Sequence, residues 1–175
     1  MNDNHRDMLE NVFLEIGIEE GQEILDFGCG SGYYTIPVAE VVGNKGTVYA
    51  VDKQQKKLEE LKKNLNSSGQ SNVRVFGSTG GTGLQFPDGS MDVVLLYDIF
   101  SYYGPASKEL VDLLDEVRRV LQEDGFLSVF PKHVDIGDLK TKIERANFVF
   151  RDMYSGTLLH YGSPEEGCLL NYEKR

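Results

Sequence analysis

Glu23-Ile-Leu-Asp-Phe-Gly-Cys-Gly-Ser-Gly32 sets the pattern that the rest of the chain repeats. Residues 23–27 form a short apolar run holding one acid, as a buried strand does. Glycines 28, 30 and 32 break it, and a helix is expected over 33–42. Pro37 falls within or just after that helix's first turn, where a missing N–H costs least. A helix N-terminus aims unpaired N–H groups at whatever sits above the turn. Glycine lets the backbone turn sharply there with positive φ and approach a ligand closely.

Downstream the alternation continues. Gly43-Asn-Lys-Gly46 is a turn, and Thr47-Val-Tyr-Ala-Val51 is a second strand closed by Asp52. An amphipathic helix over 54–66 carries Leu58, Leu61 and Leu65 on one face. Residues 73–76 are a third strand, followed by a Gly-, Ser- and Thr-rich loop over 77–90. Met91-Asp-Val-Val-Leu-Leu-Tyr97 is nearly all apolar, as in a strand covered on both faces. Pro105 suits the first position of the next helix, whose apolar face runs from Leu110 to Leu121 and which Glu123-Asp-Gly125 is expected to end. A fifth strand over 126–130, a helix over 138–146 and strands over 148–154 and 168–173 complete the chain. Gly156, Gly162 and Ser163-Pro164 read as turn-formers between the last two. Upstream, Met8, Leu9, Val12, Phe13 and Ile16 recur at helical spacing before Gly17, giving an N-terminal helix within residues 1–16.

This order predicts an α/β fold: a doubly wound seven-stranded sheet, mostly parallel, with helices on both faces. No helix fits between the last two strands, so the last is expected to return antiparallel. With neither repeat nor low-complexity linker, residues 1–175 read as a single domain.

Composition narrows the function classes. The formal net charge of −10 disfavours a nucleic-acid partner, since phosphate binding relies on a basic surface. Lys53, Lys56, Lys57, Lys62 and Lys63 share a helix with Glu59 and Glu60, the pattern of a solvated face. Cys29 and Cys168 are too few for a disulfide framework. No apolar run approaches the roughly 20 residues of a membrane span, and no signal-like stretch follows Met1. A cytoplasmic location is the expectation.

In such a sheet, ligands bind at the C-terminal edge where strand order reverses. The turn Asp26-Phe27-Gly28-Cys29-Gly30-Ser31-Gly32 lies there. Its G-x-G-x-G spacing differs from the G-x-G-x-x-G of dinucleotide folds. Asp26, two residues before the first glycine, would repel a pyrophosphate but favour an ammonium group. Asp52 ends the second strand, where an acid hydrogen-bonds ribose hydroxyls. The expected ligand carries a ribose and a positive end in place of a diphosphate; S-adenosylmethionine meets these requirements.

These same segments resemble class I S-adenosylmethionine-dependent methyltransferases. Residues 23–32 resemble the family's first motif and Val48-Tyr-Ala-Val-Asp52 its second. Residues 84–96 resemble the approach to strand four, and Glu116 to Leu127 the helix and glycine turn before strand five. The resemblance is closest to the small-molecule branch that includes ubiquinone/menaquinone-biosynthesis-like enzymes. It implies a Rossmann-like fold and methyl transfer to an unidentified small-molecule acceptor. It further implies that Gly28, Gly30 and Gly32 line the methionine end of the cofactor with Asp26 nearby, and that Phe27 and Cys29 belong to the same turn. Asp52 then holds the ribose, Lys53 and Gln54 flank the adenine, and Tyr97 and Asp98 face cofactor and acceptor. The family's usual Asp after strand three is replaced by Gly77-Ser-Thr-Gly-Gly-Thr82. Ser78 or Thr79 is expected to substitute, at a cost of about 1–2 kcal/mol in cofactor binding.

A hydroxyl or thiol acceptor benefits from a base. Asp98, His133 and Tyr102 are the catalytic candidates, with Tyr97 and Tyr103 beside them. His133 follows strand five closely, and the alternative is an exposed loop histidine. Tyr102 and Tyr103 either wall an acceptor pocket or pack the loop, and Tyr33 or Tyr34 either covers the cofactor or joins the core. Cys29 reads as a small residue that the turn tolerates. His160 reads as structural or surface, and three scattered histidines suggest no metal site. The competing functions are a non-catalytic S-adenosylmethionine-binding protein, a nicotinamide oxidoreductase and a methyltransferase for macromolecules. Tyr97-Asp-Ile-Phe100 lacks the Asn/Asp-Pro-Pro-Tyr/Phe pattern of amino-group nucleic-acid enzymes. With little chain outside the core, the acceptor site is expected to be open or completed by a second subunit in a homodimer.

Overall fold

The computed structural model describes residues 3–78, 81–103, 107–160 and 162–175. Pro105 and Thr79, both singled out above, lie outside the described residues. Elements follow in the order α1 (Asp3–Glu15), β1 (Glu23–Phe27), α2 (Thr35–Val42), β2 (Thr47–Asp52), α3 (Gln55–Ser68), β3 (Val73–Gly77) and β4 (Met91–Tyr97). Then come α4 (Lys108–Val120), β5 (Leu121–Phe130), α5 (Ile136–Arg145), β6 (Phe148–His160) and β7 (Ser163–Lys174). Among the described residues no helix is long and apolar enough to cross a membrane.

The strands form one sheet of order β3-β2-β1-β4-β5-β7-β6. All neighbours from β3 to β5 pair parallel. β7 runs antiparallel between β5 and β6, as expected of the final strand. Strand order reverses between β1 and β4, so the crevice above their C-terminal ends is the ligand position of a doubly wound sheet.

Side-chain alternation along the strands divides the core. Val93, Leu95 and Tyr97 of β4 point to the face covered by Leu9, Val12 and Phe13 of α1 and by Val38, Ala39 and Val42 of α2. Val94 and Leu96 point to the opposite face, under Leu113, Leu114 and Val117 of α4 and Leu139 and Ile143 of α5. Leu58, Leu61 and Leu65 of α3 pack on Ala50, which shares its strand face with Val48. Thus α1, α2 and α3 cover one face, and α4 and α5 the other.

Two boundaries differ from the sequence expectation. Helix α4 stops at Val120, and Leu121 already pairs with Met91. The register then shifts, so that Val93 next faces Phe126; residues 122–125 form an irregularity within the strand and do not end the helix. Gly125 fits this tight place because a Cβ there would sit 2.7 Å from the Asp92 carbonyl oxygen. The β6–β7 hairpin is also longer than the residue pattern indicates. Gly156 pairs with Gly167 and Pro164 with Leu159, inside the ladder. Pro164 is tolerated because β5 pairs β7 only over residues 170–173, leaving the Pro164 end paired on one side. Of the expected turn-formers, Gly162 makes the reversal, with φ 80°.

Candidate active site

The turn after β1 is built by its glycines and by two carboxylates. Gly28 has φ 85°, and a Cβ there would lie 2.4 Å from Ile99 Cγ2; Gly32 has φ 92°, and its Cβ would lie 2.4 Å from Leu61 Cδ1. Both positions exclude a side chain, one against the segment after β4 and the other against α3. Gly30 has φ 54° and nothing within 4 Å of its Cβ position. Its open face is what a bound ligand would cover. The N–H groups of Gly28 and Cys29 both donate to the Val51 carbonyl, at 2.7 and 3.1 Å. That pair fastens the turn to the end of β2.

Asp52 completes the cradle. Gly30 N–H donates to its Oδ2 at 2.9 Å and Gln54 N–H to its Oδ1 at 2.7 Å, while Ser78 N–H donates to its carbonyl at 2.9 Å. Each carboxylate oxygen has more than one lone pair, so both keep acceptor capacity beyond these two bonds.

Above this cradle lies a cavity of about 680 Å³, within the range of small-molecule sites. Phe27, Gly28, Cys29 and Gly30 line it with Asp52, Lys53, Gln54 and Ser78. Tyr97, Asp98, Tyr102 and Tyr103 line the same cavity. Tyr102 is 63% exposed, and Lys53 Nζ stands 5.1 Å from its ring centroid. A cationic side chain and an open aromatic ring therefore meet at the rim.

Two expected cofactor residues are placed differently. Gly32 acts in packing against α3. Asp26 is 3% exposed, does not line the cavity and accepts a hydrogen bond from Thr35 Oγ1 at 2.6 Å. Its carboxylate sits behind the turn, beside the glycines and off the cavity surface. Burial raises its pKa to about 7; the Thr35 bond opposes that rise and the Asp52 charge adds to it. Asp26 thus sets the field behind the turn and ties β1 to α2.

The tyrosines separate into wall and rim. Tyr34 joins both alternatives weighed above. It contacts Tyr97 edge-on at 4.8 Å between centroids, lines the cavity and donates its hydroxyl to the Leu159 carbonyl. Tyr97 stacks with Phe13 and shares a hydrogen bond of 2.9 Å with Ser128 Oγ. Burial pushes both phenol pKa values up, so each acts as a neutral wall and not as a base. The Cys29 thiol is likewise pushed far up, first by burial and then by Asp26 and Asp52. It stays protonated, as a tolerated small residue would.

His160 is where the sequence reading fails. It lines the cavity, with Nε2 3.2 Å from Asp98 Oδ2 and 3.2 Å from His133 Nε2. The reading of it as structural or surface is corrected, and two of the three histidines read as scattered meet here. His133 is exposed and reaches the site through His160. Asp98 and His133 have φ 53° and 61°, two of three non-glycine positive values among the described residues. Such strained backbone concentrates at functional sites. Asp98 and His133 stand just beyond expected strand ends, but His160 falls well past the expected end of its strand at Tyr154, so the sequence offers no signal for it; the structure extends β6 to it.

The fold and this cradle define an S-adenosylmethionine-type site at the sheet's switch point. A family model described as "Methyltransferase domain" matches residues 24–125, and the chain belongs to that family, the S-adenosylmethionine-dependent class I methyltransferases. It is similar to a protein-L-isoaspartate O-methyltransferase of Methanococcus maripaludis, 36% identical over 69 residues, covering 39% of this chain and 32% of that protein. It is also similar to a demethylmenaquinone methyltransferase of Geobacillus stearothermophilus, 30% identical over 92 residues, covering 53% and 39%. These matches thus span about a third of the length of the curated relatives. A crystal structure of a SAM-dependent methyltransferase from Aquifex aeolicus shares the fold, with TM-score 0.75 and 24% identity, covering 94% of this chain and 88% of that one.

Proposed function

We propose that the chain transfers a methyl group from S-adenosylmethionine to a small-molecule acceptor held between Asp98 and the Tyr102–Tyr103 rim. The observation that carries this reading is the single cavity joining the Gly30–Asp52 cradle to Asp98 and His160. A cofactor and an acceptor lying in one cavity can be brought into line.

The cofactor supplies an activated methyl group on a sulfonium. The chain's part is mainly positioning, because displacement at a sulfonium disperses charge and gains most from alignment. Asp52 accepts from ribose hydroxyls, and the open face of Gly30 admits the cofactor's body. Lys53, Gln54 and Ser78 border the base end, where the Ser78 hydroxyl stands in for the Asp that the family resemblance implies after strand three. Tyr34 and Tyr97 form a neutral aromatic wall that excludes water. Asp98, with His160 and His133 behind it, receives the acceptor's nucleophilic end and its proton. The acidic surroundings of Asp26, Asp52 and Asp98 suit a cationic cofactor. The two relatives are named for different acceptors, so the acceptor is to be sought by assay.

Calorimetric titration with S-adenosylhomocysteine tests the reading. Micromolar binding by the wild type, weakened at least about tenfold in Asp52→Ala, is expected; a tenfold change corresponds to about 1.4 kcal/mol, near the lower end of the value of a charge-assisted hydrogen bond. Folded wild-type protein that does not bind would overturn it. Labelled S-adenosylmethionine then identifies the acceptor from a panel of small hydroxyl, thiol and amine compounds.

A further inference from the structure

We propose that Asp98, His133 and His160 form a binding site for one divalent first-row transition-metal cation at the acceptor end of the cavity. The three come from the C-terminal edges of β4, β5 and β6, which the strand order β4-β5-β7-β6 brings together. One ligand atom from each lies within 4.8 Å of the others. His160 Nε2 is 3.2 Å from Asp98 Oδ2 and 3.2 Å from His133 Nε2. A cation about 2.1 Å from each donor would set neighbouring donors roughly 3.0–3.4 Å apart, in octahedral or tetrahedral arrangement.

Hydrogen bonding alone serves this arrangement poorly. In either tautomer of His160 one of its two Nε2 contacts lacks a proton of its own, whereas a cation satisfies three lone pairs at once. Glu165 supports the metal reading from behind. Its Oε2 lies 3.7 Å from His160 Nδ1, too far for a direct hydrogen bond but placed to favour a proton on Nδ1 and a free lone pair on Nε2. A carboxylate on the far side of a ligating imidazole is the usual support of such sites. Lys132 pairs with the same carboxylate and fixes its position.

The backbone agrees. Asp98 and His133 both hold left-handed conformations, which cost energy and persist where the surroundings require them. Asp98 N–H donates to the Phe130 carbonyl at 3.3 Å and Lys132 N–H to the same oxygen at 2.9 Å. One carbonyl thereby anchors both segments that present ligands. Two imidazoles and one carboxylate favour zinc, iron, cobalt or manganese over magnesium or calcium, which prefer all-oxygen sets. Three protein ligands leave further positions open, and Asp98 and His160 border the cavity. An acceptor bearing an oxygen donor fits those positions.

The inference goes beyond methyl transfer, and its test does not depend on it. Untagged protein at pH 7.5, without cofactor, is titrated with Co2+ and followed by visible absorption and calorimetry. One Co2+ per chain with ligand-field bands is expected. His133→Ala and His160→Ala should each weaken binding roughly tenfold or more, and Glu165→Gln by about tenfold through its support of His160. Asp98→Asn, which keeps the side-chain shape, should also weaken it; circular dichroism shows that each variant is folded. Absence of wild-type binding at millimolar Co2+, or bands retained at full affinity in either histidine variant, overturns the site. Homocysteine-derivative binding by the same sample reports separately on the methyltransferase reading.

Discussion

Gly30 N–H donates to Asp52 Oδ2 at 2.9 Å, so the turn after β1 and the end of β2 share one carboxylate. Gln54 N–H takes the other oxygen at 2.7 Å. Asp52→Asn offers one acceptor oxygen in place of two, and one of these N–H groups then faces an amide NH2. A loss of about 1–2 kcal/mol in stability is expected from the broken charge-assisted bond. The affinity for S-adenosylhomocysteine should fall about tenfold, since the cradle and the ribose partner change together. Urea unfolding and calorimetry measure the two effects; wild-type values in both would remove Asp52 from the cradle.

The glycines of the turn separate fold from function. Gly28→Ala sets a Cβ 2.4 Å from Ile99 Cγ2 at φ 85°. Overpacking and left-handed strain together should cost about 2–4 kcal/mol. Adding Ile99→Ala removes the opposing methyl, so the double variant should lose less than the sum of the singles. Gly30→Ala has φ 54° and open space; it should cost about 1 kcal/mol yet abolish cofactor binding, because the new methyl enters the cavity. Thermal unfolding with parallel titrations checks the contrast, and equal stability losses would defeat it.

Arg119 holds the segment before β4 onto α4. Its guanidinium makes a paired contact with Glu116, with both distances 2.9 Å, and donates to the carbonyls of Leu84 and Phe86 at 2.8 and 2.9 Å. Glu116 in turn accepts from Leu84 N–H at 2.8 Å. Lysine cannot reproduce this planar fork. Arg119→Lys is expected to destabilise by about 1.5–3 kcal/mol, measured by urea unfolding, and to raise amide exchange at Leu84 in hydrogen-exchange spectra. Unchanged exchange at Leu84 would show that the segment is held by other contacts.

What could be read in the sequence was local. The strand, glycine turn and helix over residues 23–42 follow from neighbours in the chain, and Asp52 from the end of one apolar strand. The leucine spacing of α3 predicted its buried face for the same reason. Features that depend on distant partners were hidden. Gly156 and Pro164 look like punctuation until the cross-strand ladder absorbs them. The start of β5 depends on pairing between Leu121 and Met91. His160 acquires its role only when sheet order brings it to Asp98 and His133. Asp26 lies at the end of β1, and its sequence position does not reveal that its carboxylate meets Thr35 behind the turn.

That inward carboxylate gives stability a defined pH dependence. Asp26 has a pKa of about 7 in the folded chain, chiefly because burial disfavours its charge, against an ordinary value of 3.8. Between those values the folded state binds more protons at this site than the unfolded state. Its contribution to stability is therefore complete below about pH 4 and is lost as pH rises toward 7. Asp26→Asn keeps an oxygen for the Thr35 hydroxyl and cannot ionise, so its stability relative to wild type should rise over this interval and level off above it. Binding should show the opposite preference: an ammonium-bearing ligand favours the ionised carboxylate, so wild-type affinity for S-adenosylhomocysteine should increase as pH passes through 7, while that of the variant stays flat. Denaturation at half-unit steps from pH 4 to 8, with calorimetry at pH 6 and 8, measures both. Parallel stability profiles for the two proteins would mean that folding leaves the Asp26 pKa at its ordinary value, and its charge behind the turn would then have to be stabilised by more than the Thr35 bond.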